Sequence, residues 1–223
     1  MRQIILAAAT AGAVLCALPA SAQTPAPPPP PAASGTGVYL GVTGGVGAVQ
    51  KVGGVLGGEL GFRITDMIEV FGEGVWLQNV ATRRRLDLAA SLATYLQTSQ
   101  GGAATGTLEI PAVYGGGGAR FLFGAPGHIR PYVTIGGGMA RVTLKPAITL
   151  KGADVTSSLS TYGVTLGSDL TGELTKPAVS GGIGARIAQG NWHVDVGAGA
   201  MSILTEGQAT NVLRAGATFG FNF

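Results

Sequence analysis

Residues Asn211 to Phe223 read Asn-Val-Leu-Arg-Ala-Gly-Ala-Thr-Phe-Gly-Phe-Asn-Phe, and taking every second residue separates them into two sets. Leu213, Ala215, Ala217, Phe219, Phe221 and Phe223 are apolar and partly aromatic. Val212, Arg214, Gly216, Thr218, Gly220 and Asn222 are small or polar. Side chains alternate between faces along a strand, so this stretch predicts a strand with one greasy face. A soluble sandwich produces the same alternation. The rest of the chain has to decide between the two.

Composition argues against a soluble domain. Charged residues make up 11% of the chain, where about 25% is usual, and the mean hydropathy is +0.37. No apolar run after the first 22 residues approaches the ~20 that a spanning helix needs. Glycine is abundant, at 39 residues, without a collagen period. A hydrophobic chain without helical spans must carry its apolar residues in alternation, which is the signature of a transmembrane barrel.

The N-terminal region reads as targeting sequence. Arg2 supplies a positive start, Ile4 to Leu18 an apolar run, and Ala20-Ser21-Ala22 a small-residue cleavage site, so residues 1–22 are expected to be a signal peptide. Cys16 lies within it behind Leu15, which is not the small residue a lipoprotein site requires. The mature chain therefore has no cysteine for disulfides or thiolate metal sites. Without Arg2, 13 basic residues face 11 acidic ones; a net of +2 makes no case for nucleic acid. Residues 23–37 are rich in proline and bury nothing, which predicts an extended periplasmic tether. The barrel domain is expected over 38–223.

Eight strand-like segments follow. Val38 to Val49 places Val38, Leu40, Val42 and Val46 on one face; Val52 to Ile64 places Leu56, Leu60, Phe62 and Ile64 outside; Ile68 to Leu77 places Ile68, Val70 and Trp76 outside. A long polar connection, Gln78 to Thr107, contains Leu88, Leu92 and Leu96 at helical spacing and predicts a short amphipathic helix over Thr82 to Gln97. The fourth strand is expected from Leu108 to Phe123, with Pro111 near its start at a rim or bulge, and the fifth from Ile129 to Leu144. A second long loop, Lys145 to Thr175, precedes Lys176 to Ala188, Trp192 to Leu204 and the terminal strand. Thr65–Met67, Gly124–His128, Gln189–Asn191 and Glu206–Gln208 are the turns. Glycine clusters before Arg63, Arg120 and Arg186 recur, but no Gly-Lys-Ser/Thr follows and no helix opens after them, so they are not phosphate loops. Short turns on one side and long loops on the other match periplasmic and outer ends, and an even strand count places both termini in the periplasm.

At Arg130-Pro-Tyr-Val-Thr-Ile-Gly-Gly-Gly-Met-Ala-Arg-Val142 the sequence resembles the fifth-strand pattern of small OmpA/OmpX-type and opacity-type outer-membrane proteins. The resemblance spans roughly Val38 to Phe223. It implies an all-β, eight-stranded antiparallel transmembrane β-barrel in the outer membrane. Phe219, Phe221 and Phe223 resemble the C-terminal aromatic signal read by the barrel-assembly machinery. The family's peptidoglycan-binding domain does not follow the barrel, so that role is not carried over.

Parity puts Glu59, Glu69, Glu73 and Asp195 in the interior with Arg63, Arg120, Arg186, Arg214 and His193. Eight strands leave room only for side chains, so a plug of bidentate ion pairs is expected; a polar conduction path is the alternative. Trp76, Trp192, Phe62, Phe121, Phe123 and the terminal phenylalanines read as interfacial girdles. Arg83, Arg84 and Arg85 in the outer loop are candidates for lipopolysaccharide phosphates, beside the bland alternative of a solvated loop face. His193 and Asp195 share a face without a nucleophile, since Ser202 has the opposite parity, so no catalysis is expected. Two separated histidines predict no metal site, and no cofactor is expected. The functional expectation is a monomeric, non-enzymatic envelope protein that contacts outer-membrane lipids and lipopolysaccharide or an unidentified surface ligand through its loops. A small passive porin is the runner-up.

Overall fold

A computed structural model describes residues 37–125, 129–167, 170–205 and 208–223. The signal segment, nearly all of the tether, and parts of the turns at 124–128 and 206–208 lie outside the described residues. The elements are β1 (Val38–Ala48), β2 (Val52–Arg63), β3 (Ile68–Leu77), α1 (Arg83–Gln100), β4 (Ala104–Glu109), β5 (Ala112–Leu122), β6 (Ile129–Leu150), β7 (Ala153–Asp154), β8 (Gly172–Gln189), β9 (Trp192–Thr205) and β10 (Gln208–Asn222). A short 3₁₀ segment, Thr156–Tyr162, follows β7.

Eight of these strands close a ring in the order β1-β2-β3-β5-β6-β8-β9-β10, every pair antiparallel. Closure is made by β1 on β10, with Tyr39 opposite Asn222 and Ala48 opposite Leu213. The terminal strand thus shares the seam, and its Leu213, Phe219 and Phe221 face outward, exposed. So do Leu40 and Val42 on β1, Leu56 and Leu60 on β2, and Ile129, Val133, Ile135 and Met139 on β6. From Ile129 to Met139 the outward apolar run rises about 26 Å, taking about 3.4 Å per residue and a tilt of about 40°. That is the height of the apolar band of such barrels, about 25 Å. Exposed Arg141 and Glu173, paired with each other, stand just above it.

The aromatic residues form one girdle rather than two. Phe62, Phe121, Phe123, Trp192, Phe219, Phe221 and Phe223 gather at the short-turn end, where the Trp192 and Phe219 rings stack 6.2 Å apart. Of the tryptophans and phenylalanines, only Trp76 belongs to the long-loop end.

Strand boundaries depart from the sequence expectation at the long-loop end. The polar connection was expected to run to Thr107 and the fourth strand to start at Leu108. Instead Ala104–Glu109 forms β4, and the chain breaks at Ile110–Pro111 before β5. Proline lacks the N–H a ladder needs; its carbonyl still accepts from the Thr143 N–H at 3.0 Å. The fifth strand was expected to end at Leu144, but β6 continues to Leu150, pairing β4 from Lys145 through Leu150. Pro146, within this extension, stands beyond the last β8 pair, Leu144 with Gly172, where no β8 residue opposes it.

Helix α1 packs on β4 and the outer part of β6. It buries Ala89, Ala93 and Leu96, while Leu88, counted in the expected apolar stripe, is exposed. Small residues win that face because the helix lies directly on Gly106, where a Cβ would collide with the Ala89 carbonyl. Gly101 ends the helix in a left-handed conformation, φ 60°, its N–H bonded to the Gln97 carbonyl. A second small core, Leu96, Ile148, Leu150, Val155 and Leu159, holds this outer platform together.

Candidate functional site

The lumen is filled in two chemistries. At the short-turn end, strand parity turns charged residues inward, and they meet. Arg120 on β5 donates through Nη2 to both oxygens of Glu59 on β2, at 2.8 and 2.9 Å, and through Nη1 to the Tyr39 hydroxyl at 2.7 Å. That hydroxyl donates to Glu59 at 2.7 Å. Arg186 on β8 grips Asp195 on β9 in a two-bond fork, 2.7 and 2.8 Å, and reaches across the lumen to Glu69 on β3 at 2.6 and 2.8 Å. Glu69 also accepts from Arg63 at 3.3 Å and Arg120 at 3.4 Å. Forked guanidinium–carboxylate pairs are strong and directional, and the ring of partners ties β2, β3, β5, β8 and β9 together. The Arg120 guanidinium also lies over the rings of Tyr132 and Phe71, at 5.0 and 5.3 Å.

Three residues named with this cluster behave differently. Glu73 and Arg214 form a pair of their own, 2.9 and 3.2 Å, nearer the outer end. His193 is fully buried but makes no hydrogen bond, and its Nε2 stays 3.9 Å from Asp195. It is a packing residue: its ring covers Gly220 directly across the ladder, as Tyr39 covers Gly61 and Tyr132 covers Gly184. An inward aromatic ring laid over a cross-strand glycine fixes register, because a one-residue slip would move the ring to the other face.

Between the clusters lies a polar cavity of about 100 Å³, lined by Thr43, Thr134, Thr218, Glu73, Arg214 and several glycines. Above it the lumen is apolar. Val55, Val75, Leu77, Tyr114, Val142, Met201, Ile203 and Val212 project inward, and Val80, Ala81, Leu108 and Ile110 from the connecting segments pack against them. Parity alone had marked the inward face as small or polar. Val212, assigned to that set, is fully buried in this cap. The signal was present as inward-parity Val55 on β2, Val75 and Leu77 on β3, and Met201 and Ile203 on β9, all toward the loop ends.

Arg130 is a functional candidate the sequence reading passed over; its inward parity with Tyr132 was the available signal. Arg83 and Arg84 are exposed and Arg85 half-buried in the first turn of α1. Arg85 shares a shallow recess at the barrel rim with Lys176, Thr205 and Thr210. Cations in a first turn oppose the helix dipole, so packing, not charge, holds this end of the helix. Among the described residues no group of three or more His, Cys, Asp or Glu is placed to hold a metal.

No protein-family model matches the chain, and no curated protein matches it in sequence. Solved structures do. The N-terminal β-barrel domain of OprF from Pseudomonas aeruginosa is similar at a TM-score of 0.51 and 17% identity, over 85% of this chain and 99% of that domain. Neisserial surface protein A gives 0.51 and 14%, over 85% and 98%. A major outer membrane protein from Thermus thermophilus gives 0.53 and 10%, over 83% and 99%. The fold is that of the small eight-stranded outer-membrane β-barrels.

Proposed function

We propose that this chain is a non-enzymatic, monomeric outer-membrane protein whose closed barrel anchors an ordered outer platform used for surface contact. In this reading the signal peptide is cleaved, the termini face the periplasm, and Phe219, Phe221 and Phe223 present the strand that the assembly machinery reads. The observation that carries it is the pair of closures in the lumen: a charge cluster at one end and an apolar cap at the other. A barrel closed twice is an anchor. What it anchors is the sheet of β4, β7 and the outer part of β6 with α1 against it, a folded surface with its own small core. Lipopolysaccharide or an adhesion ligand is met there, with Arg83, Arg84 and Arg85 as phosphate partners, since guanidinium matches phosphate geometry.

The decisive experiment is conductance of the refolded protein in a planar bilayer, with folding established by the mobility difference between unboiled and boiled samples. Silence is expected. Steady conductance would establish the passive-channel reading instead, with the cavity beside Glu73 and Arg214 as part of its path. Replacing Arg83, Arg84 and Arg85 together by glutamine is expected to reduce lipopolysaccharide co-purification; an unchanged yield removes those residues from the proposal.

A further inference from the structure

Four guanidiniums gather at the short-turn mouth, and among the described residues one of them forms no ion pair. Arg130, the second residue of β6, turns into the lumen at 8% exposure and stands directly opposite Arg186 in the β6–β8 ladder. Like charges placed opposite each other in a ladder destabilise it. Its buried Nε makes no hydrogen bond, and its single recorded bond is a long one, 3.4 Å from Nη2 to the Gly124 carbonyl. Arg63 and Arg186 lie close enough to repel it, and Glu69 and Asp66 close enough to attract it, but among the described residues Arg130 forms no ion pair.

The nearby carboxylates are already engaged. Glu59 is held by Arg120, Asp195 by Arg186, and Glu69 by Arg186, Arg120 and Arg63. Three buried carboxylates therefore face four guanidiniums. One further carboxylate lies at this mouth among the described residues, Asp66 in the β2–β3 turn; it is exposed to solvent and makes no ion pair with Arg130. A buried guanidinium with an unbonded Nε and no direct ion pair is costly, and folding around one is reasonable when a counter-ion comes from outside.

We infer that Arg130, with half-buried Arg63 beside it, binds one small oxyanion at the short-turn mouth. The guanidinium fork suits two oxygens of a phosphate-class anion. The filled lumen behind it excludes anything that must pass deeper. A free phosphate and a lipid headgroup phosphate share this chemistry. The site stands whether or not the outer platform binds anything.

The test uses refolded full-length protein, ¹⁵N-labelled at arginine, in an uncharged sugar-headgroup detergent without phosphate. Loss of one Nε–H resonance in Arg130→Lys assigns that signal. Inorganic phosphate, added at constant ionic strength, is expected to move it saturably while the signal of exposed Arg141 stays in place. Arg63→Gln is expected to weaken the apparent affinity about tenfold, the loss of one charge-assisted contact. Because Arg130→Gln removes the uncompensated charge, it is expected to unfold no earlier than wild type without phosphate and to lose the rise in unfolding midpoint that phosphate gives wild type. In phosphatidylglycerol nanodiscs, a signal already at its bound position assigns the headgroup as the source; movement only on adding phosphate assigns the free ion. An unsaturable drift shared by all arginines, or equal phosphate stabilisation of wild type and Arg130→Gln, overturns the site.

Discussion

Glu69→Gln tests the charge cluster at its centre. Glu69 is fully buried and its two oxygens serve three guanidiniums: Arg186 at 2.6 and 2.8 Å, Arg63 at 3.3 Å and Arg120 at 3.4 Å. Glutamine keeps the volume and one acceptor, but it removes the charge and points an NH₂ at donors. Three carboxylates against four guanidiniums become two against four. Breaking a buried ion pair by neutralising one partner costs about 3–5 kcal/mol, and 3 kcal/mol is about a hundredfold in the folding equilibrium. The assay is reversible urea unfolding of protein refolded into vesicles, followed by Trp76 and Trp192 fluorescence and by gel mobility. An unchanged urea dependence certifies that stability alone has moved. Glu173→Gln is the internal control. It breaks a pair with the same donor and acceptor types, Arg141 with Glu173, in an exposed setting, where ion pairs contribute little. Its midpoint is expected to stay with wild type. If Glu69→Gln also stays there, or if the two variants lose stability equally, burial is not what gives the cluster its weight.

Gly61→Ala is expected to destabilise by about 1–3 kcal/mol by overpacking, because the new methyl would enter the Tyr39 ring; the urea midpoint and folding yield on the unboiled gel read this out. Leu96→Asp is expected to loosen the outer platform while leaving the barrel's mobility shift intact, since Leu96 belongs to the small outer core; protease accessibility of residues 83–109 reads this out. In that platform the Thr156 hydroxyl and N–H both donate to Asp154 and hold its carboxyl below the usual carboxylate range. A depressed folded pKa contributes stability that is present above the ordinary carboxylate pKa and lost as pH falls through the lowered one. Thr156→Ala should therefore raise the Asp154 pKa, followed by carboxyl-carbon NMR, and leave barrel unfolding unchanged.

Much of the fold was legible because one face of every barrel strand meets lipid. Period-two alternation survives single substitutions, so Leu56, Leu60, Val70 and Phe219 were assigned outward from parity alone. The outer platform was less legible, since β4 reads Ala-Thr-Gly-Thr-Leu-Glu and carries almost no apolar signal of its own. Its strand character comes from β6, which continues past the lipid band to offer a partner. Parity identifies which residues point inward, but not how deep they stand or what they meet across the lumen. Glu69 and Glu73 share one face of the same strand, yet they join different partners on different strands. His193 carried a titratable label and turned out to pack. Arg130 had the right parity and was overlooked because no acidic residue stood beside it in the sequence, which is also what makes it unusual in the structure.

The division of the lumen bears on what single substitutions can do. Inward charges lie near the short turns, on β2, β3, β5, β8 and β9, whereas inward valines, leucines and Met201 lie toward the long loops. The ion cluster excludes solute because its paired side chains occupy the lumen, and the apolar cap excludes it because burying Val212, Met201 and Ile203 removes apolar surface from water. These closures respond to different perturbations. Neutralising Glu73 or Arg120 loosens charge pairing but leaves the cap shut, and trimming Met201 leaves the charge cluster shut. Each change should lower stability without producing conductance. A continuous path requires both to be lost in one molecule, so a combined Arg120→Gln and Met201→Gly chain that still folds is the first variant in which current is expected, and current from either single change would show that the two closures are not independent.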